Sequence, residues 1–282
     1  MKTKNLFTIT AITVALFSFT ACKKENAAVT NAAEQETTFD LSTGQAVADN
    51  ITEDANGVFM EAAATKNLLG GNSQAVATTN SITGAVVTVS PAPGFPKTIT
   101  IDFGSGYTSS NGITHKGKIN VVLSDSVRKT GSTAVINFAN YYVNGFKKEG
   151  TVTWTNTSTA TAKGWQRKVE NGKISAPDGR YWIHSGIRDA VQIAGANTPN
   201  SLLDDIFLIT GNHTVTNASG KTRECFITEA LEKKTVCDNI CTGKLKVQGG
   251  SHIALIDFGN GDCDKLATIS IDGGTPRTIV LR

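Results

Sequence analysis

Residues 98–103 read Thr-Ile-Thr-Ile-Asp-Phe, and apolar side chains alternate there with polar ones. A period of two is the pattern of a β-strand with one buried face. From Gly84 onward similar runs follow one another, separated by short turn pairs such as Asn144-Gly145 and Asp178-Gly179. Strands joined by turns this short form hairpins, so the pattern predicts a mostly antiparallel sheet.

The number of these runs indicates the fold class. About thirteen strands are too many for one strongly twisted open sheet, so the sheet should curl or split into two layers. We therefore predict an all-β fold over residues 80–282, a large antiparallel, meander-rich curved sheet or a sandwich. The motif Ile-Asp-Phe-Gly-x-Gly occurs at 101–106 and again at 256–261. This echo leaves open two related β modules or the repeated use of one hairpin turn.

A short helical segment is predicted before the β domain, over residues 39–72. Apolar residues from Val47 to Val58 recur at spacings of three and four, as on one face of a helix. Gly70-Gly71 is typical of a helix end. Gly57 weakens the middle by about 1 kcal/mol relative to Ala, which leaves a break at that position open.

The start of the chain predicts a cellular location. A basic start precedes an apolar run from Leu6 to Phe19, and Thr20-Ala21-Cys22 follows. The run is too short to span a bilayer, and small residues at its end are typical of an export signal, here residues 1–21. The segment resembles the lipobox of bacterial lipoproteins, which implies that the Cys22 thiol carries lipid. Residues 22–38 are rich in Ala, Thr, Asn, Gln and Glu, a composition that predicts a flexible tether.

Several strand and turn motifs occur in a fixed order. They are Ile-Asp-Phe-Gly-x-Gly at 101–106, Lys-Gly-Lys-Ile at 116–119, Asn-Tyr-Tyr-Val-Asn-Gly at 140–145 and Ile-Asp-Phe-Gly-x-Gly-x-Cys-Asp at 256–264. This order resembles a family of uncharacterised lipoproteins of Bacteroidetes-type bacteria. The resemblance implies a lipid anchor in the outer membrane. The mixed-charge stretch after Cys22 favours the cell surface over a periplasm-facing position. The family supplies no activity and no catalytic residues.

The charge balance bears on the partners. Removing residues 1–21 takes away Lys2 and Lys4, so the basic count falls from 27 to 25, against 24 acidic residues. A nearly neutral chain without a basic block argues against nucleic acid as a partner. Besides the membrane, we expect an extracellular glycan or another envelope protein as partner, a monomeric chain and no cofactor.

Four cysteines beyond Cys22 suggest disulfides, because exported chains usually pair their thiols. A turn at residues 232–234 would set Cys225 opposite Cys241. A turn near residues 248–250 would set Cys237 opposite Cys263. We therefore predict the pairs Cys225–Cys241 and Cys237–Cys263. A zinc site of four thiolates is the alternative, although its usual spacing of two residues between cysteines is absent.

An acidic turn near the end of the chain is a weak calcium candidate. Asp257, Asn260, Asp262 and Asp264 lie at close spacing around two glycines. Alternating oxygen ligands with a glycine bend are typical of calcium loops, but the twelfth position, which should be Glu, is Thr268. A hairpin turn rich in Asp, Asn and Gly gives the same pattern, so no metal site is assigned.

The sequence contains no catalytic motif of the common hydrolase or phosphate-binding types. We expect a non-enzymatic envelope protein that binds a partner or has a structural role. Two alternatives stay open. One is a glycan-acting hydrolase that uses paired carboxylates such as Asp204-Asp205. The other is an accessory protein of envelope assembly or transport that meets partners through an exposed sheet edge.

Aromatic residues suggest a ligand platform, and one hydroxyl suggests a modification. Tyr142, Trp154, Trp165 and Trp182 are close enough in sequence for neighbouring hairpins to bring their rings together and stack a sugar. A role in the core of the sheet is the alternative. Asp125-Ser126-Val127 resembles an O-glycosylation acceptor of Bacteroidetes-type exported proteins, which implies modification at Ser126.

Overall fold

We describe the chain from a computed structural model that covers residues 22–71 and 76–282. These residues form one helix and fourteen strands. The helix is α1 (Cys22–Thr65). The strands are β1 (Val86–Ser90), β2 (Lys97–Asp102), β3 (Tyr107–Thr108), β4 (Thr114–Leu123), β5 (Thr133–Val143), β6 (Phe146–Asn156), β7 (Lys163–Ser175), β8 (Tyr181–Ala194), β9 (Ile206–Asn217), β10 (Thr222–Lys234), β11 (Thr242–Gly249), β12 (His252–Asn260), β13 (Leu266–Ile271) and β14 (Arg277–Val280).

All fourteen strands pair antiparallel in one open sheet. Their order is β1-β2-β4-β5-β6-β7-β8-β9-β10-β11-β12-β13-β14, and β3 pairs with β4 beside this path. Apart from the two-residue strand β3, each strand therefore lies next to its neighbours in sequence. The predicted antiparallel meander is confirmed, and it takes the form of a single sheet rather than a sandwich. The two copies of the Ile-Asp-Phe-Gly-x-Gly motif begin in β2 and β12 of this same sheet.

The turn pairs show how local sequence makes the hairpins. Asn144 and Gly145 have φ angles of 48° and 84°, and Asp272 and Gly273 have 51° and 73°. Two successive residues with positive φ form the turn whose twist matches that of paired strands. The pair Asn171-Gly172 has the composition of a hairpin turn, but it lies inside β7. The register with both neighbouring strands shifts there, so this pair forms a bulge.

The helix α1 is enclosed by the sheet. Eight consecutive residues, Ala46 to Glu53, are all buried. A helix on a protein surface buries one stripe, so burial all round means that other elements surround it. His115 of β4 contacts Asp54, and Arg277 near the other end of the sheet contacts Glu36. The sheet therefore curves around α1, and the core lies between them.

The bounds of α1 differ from the predicted ones. The helix begins at Cys22, so the segment predicted as a flexible tether is helical. Its Ala, Glu, Gln and Lys residues are strong helix formers, and Glu34 forms an ion pair with Arg223 of β10. The helix ends at Thr65 rather than near residue 72, because Asn67 adopts a positive φ of 56° and begins the C-terminal cap.

Two further features of α1 concern earlier predictions. The helix continues through Gly57 without the break that this residue left open. No helix in residues 22–71 and 76–282 is long and apolar enough to cross a membrane. The predicted export signal, residues 1–21, lies outside the described residues.

Candidate functional site

A cavity of about 380 Å³ lies between α1 and the curved sheet. On the helix side, Gly57 and Met60 line it. On the sheet side, the walls come from β6, β7, β9 and the connection between β10 and β11. Gly57 is exposed within an otherwise buried stretch of α1, and a Cβ added at this position would meet no atom within 4 Å. The missing side chain therefore leaves the space open.

Aromatic rings form the apolar wall of this cavity. Trp154 of β6 is held in place by its indole N–H, which donates to Asn56 Oδ1 at 2.8 Å, and by an edge contact with Phe59. Trp165 of β7 packs edge-on against Phe207 of β9, with ring centroids 5.7 Å apart. The rings are therefore fixed before any ligand arrives, which lowers the entropy cost of binding.

Two buried donors on the wall lack partners. The indole Nε1 of Trp165 and the Nε of Arg167 make no hydrogen bond within the described part of the chain. Both side chains line the cavity and are at least nine-tenths buried. A buried donor without an acceptor costs free energy, so an acceptor from outside would be favourable here.

Four charged groups of the wall, Glu53, Asp54, Arg167 and Arg282, are already paired with one another. Glu53 forms a buried ion pair with Arg167. Asp54 accepts from His115 at 2.9 Å and lies 2.7 Å from Arg282. Burial alone would raise the pKa of Asp54, but its attraction to His115 and Arg282 outweighs this and holds the pKa well below its usual range. These groups therefore leave little uncompensated charge facing the cavity.

Asp205 is an exception among the carboxyls of the wall. It is buried, and burial raises its pKa to about 7, with a smaller contribution from the neighbouring charge of Asp204. Gln192 donates to its Oδ1 at 2.8 Å. A carboxyl that titrates near neutral pH can donate a proton as well as accept a hydrogen bond.

Ion pairs between α1 and the sheet hold both walls of the cavity in place. Each pair joins one carboxylate of the helix to one arginine of the sheet or its connections. In the described ranges these pairs are Glu34–Arg223, Glu36–Arg277, Asp40–Arg180, Asp49–Arg188, Glu53–Arg167 and Asp54–Arg282. This pairing cannot be recognised from the sequence, because the partners are more than 100 residues apart. The recurring carboxylates of residues 34–54 were its only visible sign.

The four predicted platform residues do not share one surface. Trp154 and Trp165 line the cavity together. Trp182 is buried elsewhere beside Gly44, and its N–H donates to Asp40 at 3.1 Å. Tyr142 lies under the Lys116 ammonium group on a partly exposed part of the sheet. The structure thus brings two of the four rings together, inside the molecule.

One of the two predicted disulfides is present and the other is not. Cys237 and Cys263 are bonded, whereas Cys225 and Cys241 are buried free thiols. The pairing Cys225–Cys241 is wrong because the β10–β11 register sets Cys225 opposite Val247. Cys241 lies before β11 rather than within a strand. The same register excludes a zinc site of all four thiolates.

Side chains of the acidic turn, the calcium candidate, accept hydrogen bonds from backbone amides. Asp257, Asn260 and Asp264 accept hydrogen bonds from the amides of Gly259, Asp262 and Leu266, respectively. In residues 22–71 and 76–282, no three carboxylates converge to metal-binding distance. Asx turns of this kind are the hairpin alternative that the sequence left open.

Ser126 and Cys22 stay predictions. Ser126 follows β4 in a turn, is half-buried, and packs its Cβ near Gly70. Cys22 is the first residue of α1, and its side chain lies outside the described atoms. The edges of the open sheet, β1 and β14, expose Val86 and Val280.

Comparisons of the chain with protein-family models, with curated proteins and with solved structures found no match.

Acid should destabilise the protein through two buried histidines. Burial and nearby positive charges hold the pKa of His184 and His213 well below the usual value. Below about pH 6.5 the unfolded chain protonates both rings and the folded chain does not, so each costs up to about 1.4 kcal/mol of stability per pH unit. Asp205 opposes this between pH 4 and 7, because its raised pKa keeps the proton in the folded state.

Two histidines outweigh one carboxyl, so we expect the urea midpoint to fall from pH 7 to pH 5. Asp205→Asn removes the opposing group and should make the fall steeper. A midpoint that rises on acidification would contradict this balance of charges.

Proposed function

We propose that this chain is a lipid-anchored binding protein of the cell envelope, whose ligand is a small uncharged polar molecule with an apolar face. The observation that carries the proposal is the aromatic cavity opposite Gly57. Its volume of about 380 Å³ lies at the lower end of the range of small-molecule sites. Many of its lining residues are polar, and several of these are held in place by hydrogen bonds or ion pairs.

The charges on the wall favour an uncharged ligand. Glu53 and Asp54 are matched by arginines, and the carboxylate of Glu61 accepts hydrogen bonds from Ser81 and Thr78. A cationic ligand would find these three carboxylates already bonded, and an anionic ligand would find the Lys233 ammonium group of the same wall already donating to two backbone carbonyls. Either ligand would lose its hydration. A saccharide fits better, because its hydroxyls can accept from Trp165 and Arg167 while its apolar face stacks on a ring.

Binding is tested with a panel of neutral mono- and disaccharides, measured by isothermal titration calorimetry. Trp165→Phe keeps a ring and removes the indole donor. We expect it to weaken binding about fivefold, since one hydrogen bond contributes about 1 kcal/mol. Trp182→Phe is the matched control, because Trp182 lies outside the cavity lining and should keep the wild-type affinity. Equal affinity of the two variants would contradict the site, and a panel without any binding would contradict the ligand class.

The anchor is tested separately. Cys22→Ser removes the only atom to which the predicted lipid would attach. We expect a folded protein that moves from the membrane fraction to the soluble fraction, because the described residues contain no membrane-spanning helix. Circular dichroism checks the fold, and retention of the variant in the membrane fraction would contradict anchoring at Cys22.

A glycan hydrolase is the second candidate, and Asp205 is the observation that favours it. Its pKa near 7 suits a general acid beside an aromatic sugar site. Incubation of the same saccharides and of polysaccharides with the protein separates the two functions. Release of reducing ends that is lost in Asp205→Asn would favour the hydrolase, and binding without turnover favours the binding protein.

A further inference from the structure

Three sulfur atoms meet at the end of the sheet near the cavity. Cys237 and Cys241 belong to the connection between β10 and β11, and Cys263 belongs to the connection between β12 and β13. Cys237 and Cys263 form the disulfide, and the free thiol of Cys241 lies within 4.8 Å of both of their sulfur atoms. A buried thiol is thus placed beside a disulfide.

Other contacts keep these connections together. The amide of Gly261 donates to the carbonyl of Cys241 at 3.0 Å. The side-chain amide of Asn239 donates to the carbonyl of Asp264 at 2.9 Å. The Nζ of Lys234 donates to Gly261 O at 2.8 Å. The three sulfurs therefore stay adjacent whichever pair of them is bonded.

We propose that Cys237, Cys241 and Cys263 form a thiol–disulfide exchange site. The thiol of Cys241 loses its proton to water, and its thiolate attacks the Sγ of Cys237. The Cys237–Cys263 bond breaks as the Cys237–Cys241 bond forms. Cys263 leaves as a thiolate and takes up a proton from water. One disulfide is exchanged for another, so the step needs no oxidant or reductant.

Burial sets the direction of attack. Cys237 and Cys241 are buried, whereas Cys263 is exposed. Attack on Cys237 releases the thiolate into water at Cys263, where it is hydrated. Attack on Cys263 would instead leave an anion on buried Cys237, which desolvation disfavours.

A buried cation supports the attacking thiolate. Lys233 donates from Nζ to the carbonyl oxygens of Lys234 and Cys237, so its ammonium group is held beside the disulfide. Burial lowers the pKa of Lys233, and the negative charge of Cys241 acts in the opposite direction. A cation next to a thiolate stabilises the negative charge of the sulfur, as at reactive cysteines generally.

The exchange presents a reactive thiol on the protein surface. The exposed Cys263 thiol would react with an external disulfide to form a mixed disulfide and release one thiol. It would also add to soft electrophiles. Lys233 and Cys237 also line the cavity, so the site adjoins it. The proposal does not depend on what the cavity binds.

The experiment treats the folded chain with N-ethylmaleimide and maps labels and disulfides by mass spectrometry without reduction. We expect the label on Cys263 in molecules that carry a Cys237–Cys241 bond, and faster labelling as the pH rises. Cys241→Ser should lower the labelling of Cys263 at least tenfold. Cys225→Ser is the matched control, because Cys225 is an equally buried free thiol outside the group, and it should leave the labelling of Cys263 unchanged.

Two results would overturn the proposal. One is a label on Cys241, or on none of the three, while the Cys237–Cys263 bond stays intact. The other comes from Cys263→Ser, in which oxidation should join Cys237 to Cys241. Failure of this bond to form in a variant that circular dichroism shows to be folded would mean that these sulfurs cannot reach each other.

Discussion

Asp49→Ala is expected to lower the free energy of unfolding by about 3–5 kcal/mol, the cost of leaving a buried charge without its partner. Asp49 lies on the enclosed part of α1, with its carboxylate 3.3 Å from Arg188 and 3.7 Å from His213. Arg188 is buried as well, and the only other hydrogen bond of its side chain in the described part of the chain goes to the carbonyl of Gly211. Urea denaturation measures the loss.

The double variant Asp49→Ala with Arg188→Met is the control for this prediction. It removes both charges, and the methionine fills part of the space of the arginine stem. We expect it to recover at least half of the lost stability, because the remaining cost is one of packing rather than of an unpaired charge. A double variant less stable than Asp49→Ala would mean that the arginine has other partners and that the ion pair is not the main contact.

Gly44→Ala is expected to cost about 3 kcal/mol, although alanine is the better helix former. A Cβ at this position would lie 2.4 Å from ring carbons of Trp182. The indole cannot move easily, because it is buried and its N–H donates to Asp40. The helix and the sheet approach too closely here for any side chain.

Gly57→Ala is the matched control in the same helix. Its Cβ would meet nothing within 4 Å, so only the gain in helix propensity of about 1 kcal/mol remains. We expect the two glycine variants to shift the melting temperature in opposite directions. A loss of stability in both would mean that α1 does not sit against Trp182 on one side and the cavity on the other.

The sheet could be predicted because its rules are local. Alternating runs and turn pairs such as Asn144-Gly145 specify hairpins one after another, and a meander is the sum of its hairpins. The prediction failed where it depended on which residues of two neighbouring strands lie opposite each other. The prediction of a Cys225–Cys241 bond placed the turn at residues 232–234, but β10 runs to Lys234 and β11 begins at Thr242. The connection therefore lies at residues 235–241, and Cys225 pairs with Val247 instead.

A helix was expected before the sheet, but its enclosure by the sheet could not be predicted, because the residues that contact it are distant in sequence. Asp49 and Arg188 are separated by 139 residues, and nothing local indicates that they meet. The polar composition of residues 22–38 predicted a flexible tether, since the arginines that pair with Glu34 and Glu36 could not be recognised as partners. The cavity could not be predicted for the same reason. From the sequence, Gly57 indicated only a lower helix stability, and it is the curvature of the sheet that places Trp154 and Trp165 opposite it.

A comparison of Gly57→Phe with Gly57→Ala tests whether the cavity opposite Gly57 is the binding site. Phenylalanine at this position would project into the cavity, whereas alanine would leave most of it open. Two of the three tryptophans line the cavity, so their fluorescence reports on its occupancy during titration with the saccharides bound by the wild type. We expect Gly57→Ala to show the same fluorescence change on titration as the wild type. A folded Gly57→Phe should bind the saccharide at least tenfold more weakly. Unchanged binding in Gly57→Phe would contradict this site.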